Sequence, residues 1–181
     1  MTDTLFQELE LELQNGTSKK GHPFRYCTLG TVGLGATARL RTIVLRKVSE
    51  DLQLVFYTDR RSKKIGHIKE NNTVSLLFYH PKKLVQLKIE GSATLVSDTE
   101  ELKKYWSGIP PANRKDYTTT SAPGSPISNP DSVEYLEDKN HFAIVEIEPS
   151  KIEYLKLQRP NHLRILFSKE DGEWNGSFLV P

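Results

Sequence analysis

The sequence is poor in several residue types, and each shortage excludes a class of protein. Cys27 is the only cysteine among 181 residues, which excludes a disulfide framework and a cysteine metal site. The five histidines are widely separated, and none of them forms an HExxH-type metal motif. There is no run of about 18 apolar residues, and the acidic, amphipathic N-terminus lacks the pattern of a signal peptide. We therefore expect a cytoplasmic protein that does not span a membrane.

An excess of charge of one sign is also lacking. The chain has 25 Lys and Arg and 23 Asp and Glu, so its formal net charge is +2. This balance argues against a broad surface that binds RNA, DNA or membranes, so any anion site must be a local cluster of cations. Apolar residues make up 36% and charged residues 27%, as in globular proteins. The length predicts one domain, 1–181, in which residues 1–23 form an N-terminal helix and lead-in.

Alternating apolar and polar residues predict about eight short strands, and helices are sparse. The excess of strands over helices favours a closed or partly closed antiparallel barrel with peripheral helices over alternating strand–helix units. Helical spacing and capping residues predict a few helices at 4–14, 62–72, 98–106 and 133–137.

Individual residues indicate where some of these elements end or bend. Gly16 is expected to end the first helix, Gly91 predicts a bulge or sharp bend, and Glu170-Asp171-Gly172 predicts a hairpin turn. Residues 142–149 and 150–157 read as two separate strands. The stretch 109–131 is rich in Pro, Ser, Thr, Gly and Asn, and a loop of this length is either disordered or functional.

The stretch FYTDRRSKK, residues 56–64, concentrates cations where a strand ends. Thr58 offers a hydroxyl, and Ser62 is placed to begin a helix whose first turn carries Lys63 and Lys64. Hydroxyls, cations and free N–H groups at a helix N-terminus are what a phosphate group requires. The spacing is therefore consistent with an anion cradle, although a solvated basic turn would give the same pattern.

Two further groups of polar residues are candidates for a site. Arg41 and Arg46 bracket an apolar strand, and in a regular strand they would lie on opposite faces, so both serve one site only where the strand bends or ends. Gln86 and Arg164 offer an amide and a guanidinium, which can bond the edge of a flat heteroaromatic ring. Solvated strand ends and an exposed strand face are the alternatives for these groups.

The motifs follow one another in the order RTIVLR (41–46), FYTDRRSKK (56–64), NNTVSLLFY (71–79), QLKIEGSA (86–93) and WNGSFLVP (174–181). In this order and spacing they resemble the pyridoxamine 5'-phosphate oxidase-like flavoproteins, over residues 24 to 181. The resemblance implies a mainly β fold, a six- to eight-stranded antiparallel split β-barrel of Greek-key type with a few peripheral helices. It also implies a homodimer that binds FMN at the subunit interface and acts as an oxidoreductase on a small molecule.

The resemblance also implies roles for individual residues. Lys63 and Lys64 would hold the FMN phosphate, Gln86 would bond the isoalloxazine edge, and Arg164 would reach the flavin from the partner subunit. A family tryptophan near the flavin has Tyr154 or Leu155 in its place. The remaining residues that would line the FMN are Arg41, Thr42, Ile43, Val44, Leu45, Arg46, Tyr57 and Thr58.

For the substrate, Arg46, Tyr105 and His162 match positions that contact it in the oxidases. Two arginines of that pattern are missing, because Pro160 and Ile109 stand in their places, and Arg114 in the long loop is a candidate replacement. Oxidation of pyridoxamine or pyridoxine 5'-phosphate is therefore an alternative function rather than the first expectation. A non-catalytic flavin- or haem-binding barrel, with His80 or His162 as a haem ligand, is the other alternative, and a deazaflavin could replace FMN.

Overall fold

The structure is a computed structural model that describes residues 1–181, apart from the side chain of Leu34. Strands hold 41% of the residues and helices 27%, so the chain is mainly β. Across the described residues, nine strands form one antiparallel sheet: β1 (Tyr26–Val32), β2 (Ala38–Val44), β3 (Lys47–Val48), β4 (Leu54–Asp59), β5 (Thr73–His80), β6 (Val85–Leu95), β7 (Phe142–Lys156), β8 (Leu163–Glu170) and β9 (Glu173–Leu179).

The sheet curls into a barrel that is split along β7. The strand order is β2-β1-β5-β6-β7-β4-β3, and β8 also pairs with β7 and then with β9. β7 pairs with β6 along one edge, whereas its other edge pairs first with β4, at 142–147, and then with β8, at 151–156. The predicted antiparallel split barrel is confirmed, with nine strands instead of six to eight. Alternate residues of the strands point inward, and the largest buried rings are Phe24, Phe56, Phe78 and Phe167.

The two strands predicted over 142–149 and 150–157 are one continuous strand, β7. Its register against β6 shifts between Glu90 and Gly91, where Gly91 faces Pro149. The bulge absorbs the proline, so the strand continues instead of ending there. The predicted bend at Gly91 is thus confirmed, and it is the reason that the strand boundary predicted beside it is wrong.

The N-terminal helix α1 spans Thr2–Ser18, so the predicted end at Gly16 is wrong. Gly16 is buried inside the helix, and a Cβ at this position would lie 2.8 Å from the carbonyl oxygen of Phe24. The glycine therefore permits close approach to the chain that leads into the barrel. Leu9 and Leu13 belong to the same hydrophobic core as the strands.

A cluster of polar side chains also fixes α1 to the barrel. Oε2 of Glu12 lies 3.3 Å from Nε2 of His22 and 3.9 Å from Nε2 of His80, and Lys83 forms an ion pair with the other carboxylate oxygen. Nδ1 of each imidazole accepts a backbone N–H, from Phe24 and Lys83 respectively, at 3.2 Å. Each neutral ring therefore carries its hydrogen on Nε2, facing the carboxylate. A metal or haem ligand needs a free Nε2 lone pair, so this cluster is better suited to anchoring α1.

Besides α1, two further predicted helices are confirmed. α2 spans Lys63–Glu70 with Ser62 at its N-cap, and α3 spans Thr99–Ser107. The side chain of Asp98 caps α3 by accepting from the backbone N–H of Glu101 at 2.7 Å. The Asp171-Gly172 turn between β8 and β9 is also confirmed, since both residues have positive φ, 51° and 86°.

The segment between α3 and β7 departs from its prediction. It contains a one-turn helix, α4 (Pro111–Arg114), and a 3-10 turn at Lys115–Tyr117. Instead of the helix predicted at 133–137, an isolated bridge pairs Thr119 with Tyr135. Among the residues described, no helix is both long and apolar enough to cross a membrane.

Candidate functional site

Three side chains of the predicted cradle meet where β4 leads into α2. The hydroxyls of Thr58 and Ser62 are buried, with 5% and 6% residue exposure, and their oxygens are 3.3 Å apart. Nζ of Lys64 donates to Oγ1 of Thr58 at 2.8 Å. The Ser62 hydroxyl does not cap the helix, which leaves N–H groups of the first turn of α2 available to a ligand.

Arg41 of β2 lies close enough to this place for its charge to act on Lys64. Its Nη1 donates to Oγ1 of Thr31 at 2.7 Å and to the carbonyl oxygen of Leu29 at 3.2 Å. Oγ1 of Thr31 lies 3.1 Å from Nδ1 of His67 on α2. Neither Thr31 nor His67 was named from the sequence. The alternation of TLGTV and the spacing of three residues between Lys64 and His67 are the signals that could have found them.

Among the described residues, the two cations of the cradle are not ion-paired. Neither Arg41 nor Lys64 forms an ion pair with a carboxylate among the described residues, although both are half-buried. Burial lowers the pKa of the Lys64 ammonium and the nearby Arg41 charge lowers it further, whereas the Asp59 carboxylate acts in the opposite direction. Burial also lowers the pKa of the Arg41 guanidinium. Both pKa values are displaced in the direction that an added anion would reverse.

The donor set fits a phosphate group. Arg41 and Lys64 can only donate, and the two hydroxyls and the helix N–H groups add neutral donors. The neighbouring carboxylate, that of Asp59, is already bound to a different side chain, Arg61. These residues could therefore hold the phosphate of FMN, which is the group that the resemblance implies at this position.

The other cations of FYTDRRSKK have different environments. The Arg61 guanidinium binds the Asp59 carboxylate through two hydrogen bonds, Nε–Oδ1 at 3.1 Å and Nη2–Oδ2 at 2.7 Å. It also donates to the carbonyl oxygens of Thr119 and Thr120. Arg60 donates to the carbonyl oxygen of Phe142 at 3.0 Å. Arg61 thus ties the 109–131 loop to the end of β4, so the solvated-turn alternative does not describe it. Arg60 bonds to β7 but is exposed in the turn, as that alternative expects. Lys63 is exposed.

A cavity of about 760 Å³ lies on the other side of β4. Its polar wall includes Lys47, whose Nζ donates to the Tyr105 hydroxyl at 3.3 Å, and Arg46, whose guanidinium lies over the Tyr57 ring at 5.4 Å. Nε of Arg46 is buried and has no partner among the described residues. Burial raises the pKa values of Tyr57 and Tyr117, so both phenols stay protonated near neutral pH. Sequence reasoning missed Tyr117 because only the folded 109–131 segment carries it to this wall.

Arg41 and Arg46 therefore belong to two separate clusters. β2 ends at Val44, and the backbone N–H of Arg46 bonds to Val55 of β4. Ile43 and Leu45 are buried in the core, and Thr42 and Val44 point to the outer face of the sheet.

The residues expected to contact the substrate are only partly brought together. Arg46 and Tyr105 line the cavity, and buried Ile109 adds an apolar wall. Arg114 turns away, because its guanidinium donates to the carbonyl oxygens of Ile109 and Ser107 and lies over the Trp106 ring. His162 is exposed, and its Nδ1 accepts the backbone N–H of Gln158 at 3.1 Å. The structure gives Arg114 and His162 local roles, and their substrate contacts stay predictions.

Gln86 and Arg164 lie in one row on the outer face of the sheet. The register places Gln86 of β6 opposite Leu155 of β7, and Leu155 opposite Arg164 of β8. Nη2 of Arg164 forms an ion pair with Oε1 of Glu153 at 2.9 Å. Tyr154 and Leu155 were the two candidates for the position of the family tryptophan. Leu155 lies on this outer face, whereas Tyr154 is buried in the barrel, and burial raises its pKa to about 12.

Comparison with known proteins agrees with this architecture. The FMN-binding domain of pyridoxamine 5'-phosphate oxidase matches residues 6–97. A pyridoxine/pyridoxamine 5'-phosphate oxidase of Aliarcobacter butzleri is 32% identical, over 85% of this chain and 78% of that protein. One of Vibrio cholerae is 33% identical, over 77% of this chain and 72% of that protein. The chain belongs to the pyridoxamine 5'-phosphate oxidase-like FMN-binding family.

Solved structures of this family share the fold. A pyridoxamine 5'-phosphate oxidase-related, FMN-binding protein of Nostoc punctiforme has 26% identity and a TM-score of 0.79, over 97% of this chain and 96% of that chain. PhzG of Burkholderia lata, solved with tetrahydrophenazine-1-carboxylic acid, has 18% identity and a TM-score of 0.78, over 99% and 92%. At that identity the second match shows the fold alone.

Proposed function

We propose that this chain binds FMN and serves as an FMN-dependent oxidoreductase. The observation that carries the proposal is the pair of neighbouring half-buried cations, Arg41 and Lys64, neither of which is ion-paired in the described chain. Lys64 also bonds to the Thr58 hydroxyl, next to that of Ser62. Uncompensated buried charge is costly, so its presence here is best explained by an anion that binds between the two cations. Phosphate has the charge and the acceptor oxygens for this role.

The isoalloxazine ring would extend from the cradle toward the outer face of the sheet, as the family resemblance implies. Gln86 would bond the ring edge there, and Arg164 of a second copy would reach the same ring. FMN supplies hydride transfer when it is bound, and the protein supplies orientation and electrostatics. Arg46, Lys47 and Tyr105 would hold a small substrate with an anionic group in the cavity, where an acceptor atom would satisfy the unpartnered Nε of Arg46.

A titration of the purified protein with FMN tests the proposal. We expect a flavin absorbance band that co-purifies or saturates at one FMN per chain. At about 100 times Kd, binding adds about 2.7 kcal/mol to the free energy of unfolding, which raises Tm by about 5–10 °C in a chain of this size. A protein that ignores FMN in both assays would refute the proposal. Saturation by haem or a deazaflavin instead would identify the alternative cofactor.

We further propose that the chain forms a homodimer through the outer face of β1, β5 and β6. This face exposes large apolar side chains, including Leu77 at 41% and Tyr79 at 50%. Tyr79 pairs with Gln86 in the register, so the apolar surface adjoins the row that would meet the flavin ring. Apolar patches of this kind commonly mark interfaces.

Sedimentation should therefore give twice the mass of the 20.6 kDa chain. Leu77→Lys should shift the protein toward monomer and weaken FMN binding, because a lysine would be buried at the interface. Ile127→Lys is the matched control, since Ile127 is 49% exposed in the 109–131 loop and lines a pocket that contains no residue of β1, β5 or β6. A monomeric wild type that binds FMN with full affinity would refute the interface.

Oxidation of pyridoxamine 5'-phosphate is the second candidate, favoured by the curated relatives of that name and by the cationic wall of the cavity. Buried Ile109 and the outward-turned Arg114 reduce the charge available to a second phosphate. The FMN-loaded protein can be mixed with pyridoxamine 5'-phosphate in air while hydrogen peroxide is measured. Turnover at catalytic rates would establish this activity, and its absence in a protein that binds FMN would point to another substrate.

A further inference from the structure

We propose that His67 is a positioning residue, which holds Arg41 through the Thr31 hydroxyl so that its guanidinium meets the phosphate of FMN. The inference rests on the proposed function, since it assumes that FMN occupies the cradle. It deepens that function, because it assigns a role to a histidine whose side-chain hydrogen bond is made to Thr31. The three residues come from three different elements, β2, β1 and α2.

The direction of the hydrogen bonds follows from their chemistry. A guanidinium only donates, so Oγ1 of Thr31 must accept from Nη1 of Arg41 at 2.7 Å. The single hydroxyl hydrogen of Thr31 is then free for Nδ1 of His67, 3.1 Å away. The opposite tautomer would leave that hydrogen without an acceptor at a residue that is only 3% exposed. The relay therefore runs from Arg41 to Thr31 to a neutral His67.

A neutral relay suits an anion site better than an ion pair would. A carboxylate beside Arg41 would fix the guanidinium equally well, but it would compete with the phosphate for the same positive charge. The hydroxyl of Thr31 and the carbonyl of Leu29 orient the group and leave its charge uncompensated. His67 in turn fixes the rotation of the hydroxyl, so the lone pair of Thr31 points toward Arg41.

Helix α2 connects the two halves of the cradle. Lys64 and His67 are three residues apart, so they lie on one face of the helix. Lys64 donates to Thr58 at the end of β4, and His67 accepts from Thr31 on β1. One rigid element thereby sets the spacing of the two cations, Lys64 directly and Arg41 through the relay.

The test compares His67→Leu with His67→Asn in FMN and riboflavin titrations. Leu removes the acceptor, whereas Oδ1 of Asn can take the place of Nδ1. We expect His67→Leu to weaken FMN binding about tenfold, and His67→Asn to restore most of the affinity. Riboflavin has no phosphate, so its affinity should be equal in all three proteins. A second variant, Thr31→Val, should match His67→Leu, and the double variant should lose no more than either single one.

The controls separate the possible failures. Equal Tm values for wild type and variants show that the fold is retained. If wild type does not bind FMN, the proposed function fails and the relay fails with it. If wild type binds FMN and His67→Leu binds it equally well, only the relay is refuted. Parallel losses of FMN and riboflavin affinity would also overturn it, since they would indicate a general structural role.

Discussion

Replacing Lys64 with Met should lower the affinity for FMN by about 10- to 100-fold, because a charge-assisted hydrogen bond contributes about 1.5–3 kcal/mol. Lys64 is half-buried beside Thr58 and Arg41, and its ammonium has no carboxylate partner in the described part of the chain. Met keeps the length and apolar volume of the side chain, so the change removes the charge and the hydrogen bond to Thr58. Binding is measured by flavin fluorescence or absorbance titration.

Lys63→Met is the matched control. The sequence assigns both lysines to the phosphate equally, but Lys63 is exposed. An exposed cation near the site contributes only weak, salt-screened attraction, so we expect a loss of about threefold or less. Equal losses in the two variants would mean that both side chains close on the phosphate. An unchanged affinity in Lys64→Met would remove Lys64 from the site.

The Lys64→Met protein should not be less stable than wild type when no ligand is bound. Burial lowers the pKa of Lys64, which means that the fold disfavours its charged form. Removing the ammonium relieves that cost, and the Thr58 hydroxyl keeps Ser62 as a hydrogen-bond partner. The Tm of the unliganded Lys64→Met protein should therefore be equal to or higher than that of wild type. A gain in stability together with a loss of binding is typical of a residue retained for function.

The part of the cradle that could be predicted from the sequence is local in the chain. Thr58, Ser62 and Lys64 lie within seven residues, where a strand of β-forming residues gives way to a helix. Local propensity and capping rules suffice to bring such residues together. Thr31 and Arg41 come from another hairpin, and their approach to α2 depends on how β1 packs beside that helix. No local pattern specifies that contact.

The number of cations in the stretch FYTDRRSKK is also a poor guide to the anion site, because some of them bind groups that are distant in the chain. Arg60 and Arg61 belong to the same basic stretch as Lys64, yet they bind the carbonyl oxygens of Phe142 and Thr119, more than 50 residues away in the chain. Backbone carbonyls carry no sequence signal, so a residue that binds them looks like a free cation. The strand boundary expected near residue 149 failed similarly, because Gly91 on the neighbouring strand makes room for Pro149.

Substituting Gly91 with Ala should cause the largest loss of stability among these variants. A Cβ at this position would lie 2.2 Å from the carbonyl oxygen of Glu148 and 3.0 Å from Cα of Pro149. Both contacts are with backbone at the bulge that joins β6 to β7, so no side chain can rotate away to relieve them. Overpacking typically costs about 1–3 kcal/mol and sometimes more, and we expect the upper end here. The corresponding fall in Tm is about 6–12 °C for about 3 kcal/mol.

Gly66→Ala provides the comparison, since it makes the same chemical change in open space. Apart from its chain neighbours and the backbone of its own helix, α2, no atom lies within 4 Å of a Cβ at Gly66. Ala is a better helix former and reduces the entropy of the unfolded chain, so Tm should rise by about 1–4 °C for about 0.5–1 kcal/mol. Thermal unfolding of the two variants without ligand measures both effects. If Gly91→Ala lowered Tm by less than about 3 °C, β7 would be able to move away from the bulge at little cost. The close contact between β6 and β7 at the bulge would then not be rigid.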